Sequence, residues 1–159
     1  MARDATTPVI ATRVRSCLII TLPADLLPEV IDAARNVTLE GLQGGGAQVV
    51  VFELSAVQVM DREDFESMQA VAAMAQLLGA RSLWVGLRAG IVMHLVESDI
   101  DTSEVEAVRD LEEALARADA AARQTVDDEA DEGDGHGADH AAPDARSGGE
   151  GPSLRSVAP

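Results

Sequence analysis

The chain has 159 residues, 28 acidic against 12 basic, with a formal net charge of −16 and a pI near 4.3. Every basic residue is Arg, and neither Lys nor Tyr occurs. This excludes Schiff-base chemistry, the phosphate-loop lysine and the kinase β3 lysine. The acidity argues against nucleic acid or an anionic membrane as partner, since both are bound through basic side chains. One domain is the natural expectation at this length, with a core of Val, Leu, Ile, Ala and Met because aromatic residues make up only 2%.

The start carries Arg3, Asp4, Arg13 and Arg15, which interrupt any apolar signal region, so a cytoplasmic protein is expected. Residues 1–6 read as a flexible N-terminus and residues 7–124 as the folded unit. Val9–Ala11 and Cys17–Leu22 are short β-branched runs, expected to pair as a hairpin. Cys17 lies in a strongly apolar run and reads as a buried structural thiol. Residues from Asp25 to Leu42 have apolar spacing close to helical, and Gly44-Gly45-Gly46 ends that segment. These glycines follow a helix and precede a strand, the reverse of a phosphate loop, so they read as a linker.

Gln48–Glu53 is almost continuously apolar, as a strand covered on both faces should be. A helix is expected over Asp61–Leu78, a second buried strand over Ser82–Gly86 and a short helix over Ala89–Glu97. Val105–Val108 reads as an edge strand. The last helix, Asp110–Arg123, opens with the spacing of a capping box, Asp110 and Glu113. Strands alternating with helices after an initial pair predict an α/β sandwich. Its sheet is mixed and mostly parallel, and its helices lie mainly on one face.

The composition changes near Thr125. Residues 127–159 contain nine acidic residues and two Arg, a net of −7 that leaves −9 on the rest. Their only large apolar residues are Leu154 and Val157, so residues 125–159 read as a disordered acidic tail. His136 and His140 in that tail read as solvated rather than as a metal site.

Catalytic constellations are scarce. There is no Gly-x-Ser-x-Gly elbow, and the one His inside the domain, His94, sits among Ile91, Val92, Leu95 and Val96. The strongest local signal is the strand-to-helix junction Val59-Met60-Asp61-Arg62-Glu63-Asp64-Phe65. Asp61 is a natural N-cap, and Asp64 follows three residues on, at the positive end of the helix dipole. The junction reads either as a well-capped helix and nothing more, or as the exposed loop where parallel sheets present binding residues. Carboxylates at 61, 63, 64 and 66 spread over a wide arc and do not form a metal cage by themselves.

The order of elements is similar to the STAS domain of anti-sigma-factor antagonists, and within it to the scaffold and antagonist proteins of the bacterial stressosome, the RsbS type. The resemblance runs from about Pro8 to Leu115. It rests on Ser16-Cys-Leu-Ile-Ile20, Val49-Val-Val-Phe-Glu-Leu-Ser55, Val57-Gln-Val-Met-Asp61, Leu77-Leu-Gly-Ala-Arg81, Val85-Gly-Leu-Arg-Ala-Gly-Ile91 and Asp110-Leu-Glu-Glu-Ala-Leu115. It implies a non-enzymatic module without cofactor or metal, acting in stress signalling. The implied partners are a serine kinase-like switch protein and other STAS chains, in a homo- or hetero-oligomer. In such proteins a Ser or Thr directly after the junction Asp is phosphorylated; here that position is Arg62. Ser55 lies before the loop and Ser67 more than a turn into the helix, so neither replaces it. Asp61, Arg62, Glu63 and Asp64 are the expected partner-binding residues, and Arg62, with no hydroxyl, departs from the phosphorylation switch that the resemblance implies. The alternative is a receiver-like or Mg-dependent phosphotransfer protein using Asp61 or Asp64.

Overall fold

A computed structural model describes residues 8–131, with side chains through residue 126. The tail residues 132–159, with His136 and His140, and the first seven residues lie outside the described part. Five strands form one sheet in the order β1 (Ile10–Val14), β2 (Cys17–Thr21), β3 (Val49–Glu53), β4 (Arg81–Val85), β5 (Ala107–Val108). β1 runs antiparallel to β2, and every other pair is parallel. The expected mixed sheet is therefore present. Its edge strand β5 is shorter than expected, two residues instead of four.

Both faces of β2, β3 and β4 are covered, which explains the unbroken apolar runs of β2 and β3, while β1 is an exposed edge. Leu18, Ile20, Val50, Phe52 and Trp84 point to one side, where α1 (Pro28–Gln43), α2 (Arg62–Leu77) and α3 (Ala89–Glu97) supply the rest of the larger core. Cys17, Ile19, Val49, Val51, Leu83 and Val85 point to the other, against Ala114 and Ala118 of α4 (Leu111–Asp131). Burial, with the nearby Asp119 charge second, pushes the Cys17 thiol up to about 11, leaving it protonated and inert.

Two helix boundaries differ from the sequence expectation. α1 begins at Pro28 rather than Asp25, because proline pushes the preceding residue out of the helical region; Leu27 has ψ 155°. α4 continues to Asp131, past Arg123 and over the first residues of the stretch from residue 125 that reads as an acidic tail, since a helix once nucleated propagates one residue at a time. At its start, Asp110 accepts from the Glu113 N–H at 2.9 Å, and Glu113 reaches back to the Arg109 N–H at 3.2 Å. The reciprocal bond thus lands one residue earlier than in the usual box.

α2 and α3 end alike. In α2 the N–H of Gly79 (φ +87°) bonds to Gln76 O and that of Ala80 to Ala75 O, a Schellman motif. In α3 the N–H of Asp99 bonds to Val96 O and that of Ile100 to Leu95 O, with Asp99 at φ +53°. Aspartate is therefore held where glycine is preferred, and it adds a negative charge at the negative end of the helix. Asp99→Gly is expected to stabilise the domain by about 0.5–1 kcal/mol in urea unfolding. No change, or a loss, would contradict this reading of the cap.

Candidate functional site at the carboxyl ends of the parallel strands

The chain leaves β2, β3 and β4 at the same end of the sheet, and three loops meet there. The Gln58 N–H donates to Ala24 O at 3.1 Å, joining the loop after β3 to the loop after β2. Arg88 donates to Ser55 O from Nη2 at 3.1 Å and from Nε at 3.3 Å, joining it to the loop after β4. Val57 and Met60 are buried, while Val59 between them is 71% exposed. The loop is thus anchored by Val57 and Met60 and displays Gln58 and Val59 between them.

The loop leads into α2 through a complete capping box. Asp61 Oδ1 accepts from the Asp64 N–H at 2.9 Å, and Asp64 Oδ2 accepts from the Asp61 N–H at 3.2 Å. Met60 before the cap and Phe65, the fourth helical residue, are both buried in the same cluster, the positions of a hydrophobic staple. Partial burial first, then the charges of Asp61 and Glu63, push the Asp64 carboxyl up, against the lowering effect of its backbone bond to Asp61.

The four junction residues do not form one patch. Asp61 and Asp64 turn back onto each other's backbone. Arg62 turns toward α3 and donates from Nη2 to Ser98 O at 2.6 Å, with Glu66 3.6 Å from Nη1. It therefore caps the last turn of α3. Glu63 and Asp64 face the opposite way, toward α1, where with Ser67 they border a groove. The sequence reading missed Ser98, Asp25, Leu27, Asp32 and Arg35 as neighbours of this junction; only the crossover packing brings them there. Ser55 is exposed on its turn and Ser67 is half-buried. His94 is exposed on α3. Among the described residues, no three His, Cys, Asp or Glu side chains gather as a metal ion would require. No helix of the described residues is long and apolar enough to cross a membrane.

Solved structures decide the fold. A serine-to-glutamate variant of RsbS from Moorella thermoacetica superimposes with a TM-score of 0.62 at 19% identity, covering 72% of this chain and 97% of that one. This chain has the STAS fold. A chain from the molecular architecture of the stressosome, described as a signal integration and transduction hub, matches equally, with a TM-score of 0.62 at 18% identity over 72% of this chain and 99% of that one. The unphosphorylated anti-sigma factor antagonist SpoIIAA gives 0.52 at 14% identity, over 69% of this chain and 96% of that one. No protein-family model and no curated protein matches the sequence. At these identities the likeness is one of fold, and function has to be argued from this chain's own residues.

Proposed function

We propose that this STAS domain is a non-enzymatic protein–protein interaction module of a stress-signalling or anti-sigma pathway. It binds a serine kinase-like switch protein and other STAS chains through the junction Asp61, Arg62, Glu63 and Asp64. One observation carries the reading. The exposed strand-to-helix junction is closed by its own Asp61–Asp64 capping box, with Arg62 turned to the end of α3 and Glu63 toward α1, so its side chains spread apart instead of converging on a reacting atom. The similarity to RsbS, SpoIIAA and a stressosome chain supports the pathway.

The residue after the junction Asp is Arg62, and its guanidinium is held by Ser98 O. A phosphoserine there would carry about −1.5 to −2 charges at the helix N-terminus. Arg62 carries a positive charge and no hydroxyl to phosphorylate, so the junction is left without that switch. Incubation with the serine kinase-like switch protein of its own pathway and ATP is expected to leave wild type unlabelled, while Arg62→Ser becomes labelled at residue 62. Labelling of wild type at Ser55 or Ser67 to a comparable extent would overturn the loss of the switch. Failure to capture either a switch kinase or another STAS chain would overturn the assignment as a whole.

A further inference from the structure

Between the first turns of α1 and α2 lies a groove of about 450 Å³. Its apolar lining comes from Leu26, Leu27, Pro28, Ile31 and Val59, of which Leu26 and Ile31 are buried at its floor and Leu27 and Val59 are 47% and 71% exposed. Its border carries Asp25, Glu63 and Asp64. Arg35 is the one basic side chain lining it, and that guanidinium is already paired with Asp32 at 2.7 Å. Among the described residues, Asp25 and Glu63 make no ion pair, and Asp64 is bonded only to the Asp61 backbone and cap. Apolar walls beside these carboxylates lower the local dielectric and focus their field, so the groove favours a cation over an anion.

We infer that this groove receives an Arg- or Lys-bearing segment of a partner protein in which an apolar side chain adjoins the cation. The apolar side chain seats on Leu27, Ile31 and Val59, and the cation pairs with Asp25, Glu63 and Asp64. This rests on the reading of the chain as an interaction module, and it adds the chemistry of the partner and a second wall, from α1, to the junction. Charge argues against the two other occupants. A second copy brings its own net charge of −16, and residues 127–159 of the same chain carry −7.

The probe is a fluorescent synthetic helical peptide with Leu and Arg at i, i+4 spacing, titrated into the full chain and read by anisotropy. A peptide of equal charge without Leu serves as comparison. The Leu/Arg peptide is expected to bind, and the pair Asp25→Asn with Glu63→Gln to weaken it roughly tenfold or more. Leu27→Ser is expected to weaken it about fivefold. Serine is a better N-cap than leucine for α1, so that loss will not come from unfolding. Glu40→Gln, exposed at the far end of α1, is expected to leave binding unchanged.

Equal binding of the Leu-free peptide, or an equal effect of Glu40→Gln, would overturn the proposal in favour of overall charge. Without peptide, Leu27 and Val59 methyl resonances that move with Leu154→Ser would place the chain's own tail in the groove. Movement of the same resonances on dilution would place a second copy there. Either result overturns the proposal. A switch kinase captured equally by wild type and the groove variants would remove the groove and keep the signalling function. The expected peptide pattern without any switch kinase partner would do the reverse.

Discussion

Gly86→Ala is expected to destabilise the domain by about 2–4 kcal/mol, a large share of the 5–15 kcal/mol typical of a domain. Gly86 follows β4 with φ +78°, a conformation that costs a residue with a Cβ about 1–2 kcal/mol. A Cβ there would also collide with Ser55 Oγ and lie 2.8 Å from Ser55 N and 2.9 Å from Ser55 Cα. The hydroxyl can rotate away, but the backbone atoms cannot. The loops after β3 and β4 must therefore separate, and the bonds from Arg88 to Ser55 O go with them. Urea unfolding measures the loss. Ser55→Ala in the Gly86→Ala background should recover less than half of it, because the backbone collision remains. A total cost below about 1 kcal/mol would show that the two loops do not approach this closely.

The second large effect is at Phe65. Its ring is 1% exposed and lies 5.6 Å from the Trp84 ring at an interplanar angle of 52°. Trp84 in turn meets Phe52 edge-on at 6.2 Å, so all three aromatic residues of the chain form one cluster. Phe65→Ala is expected to cost about 3–5 kcal/mol, from lost transfer energy and the cavity left behind. The tryptophan emission should shift to the red as water reaches Trp84. Because Phe65 also closes the staple with Met60, the first turn of α2 should loosen, and hydrogen exchange at the amides of residues 63–66 should accelerate more than in β3. Phe65→Leu keeps most of the volume and is expected to cost about half as much. A loss under 1 kcal/mol with unchanged emission would contradict this packing.

Much of the domain was legible because its signals are local. The runs around Val49–Phe52 and Leu83–Val85 are apolar at every position, and the structure buries them on both faces. The Asp61–Asp64 box is a contact between residues three apart, so sequence spacing alone was enough to find it. Where local signals compete, the reading slipped. The apolar spacing of Leu26 and Leu27 suited a helix, but Pro28 restricts the backbone before it, and the helix starts later. Residues 124–131, with three Asp and Val126 as their one large apolar residue, carry no hydrophobic stripe to announce the extra turns of α4.

By itself, then, the sequence determined the buried strands, the caps of α2 and α4, the absence of lysine chemistry and the presence of Arg62 after the junction Asp. These depend on residue type and on hydrogen bonds spanning three or four positions. Only the tertiary structure decided that Arg62 reaches Ser98, 36 residues away, and that Glu63 and Asp64 face α1 across an apolar groove. Those directions follow from how parallel crossovers stack α1, α2 and α3 on one face of the sheet. The stacking is set by the summed packing of the core, which no short stretch of sequence contains.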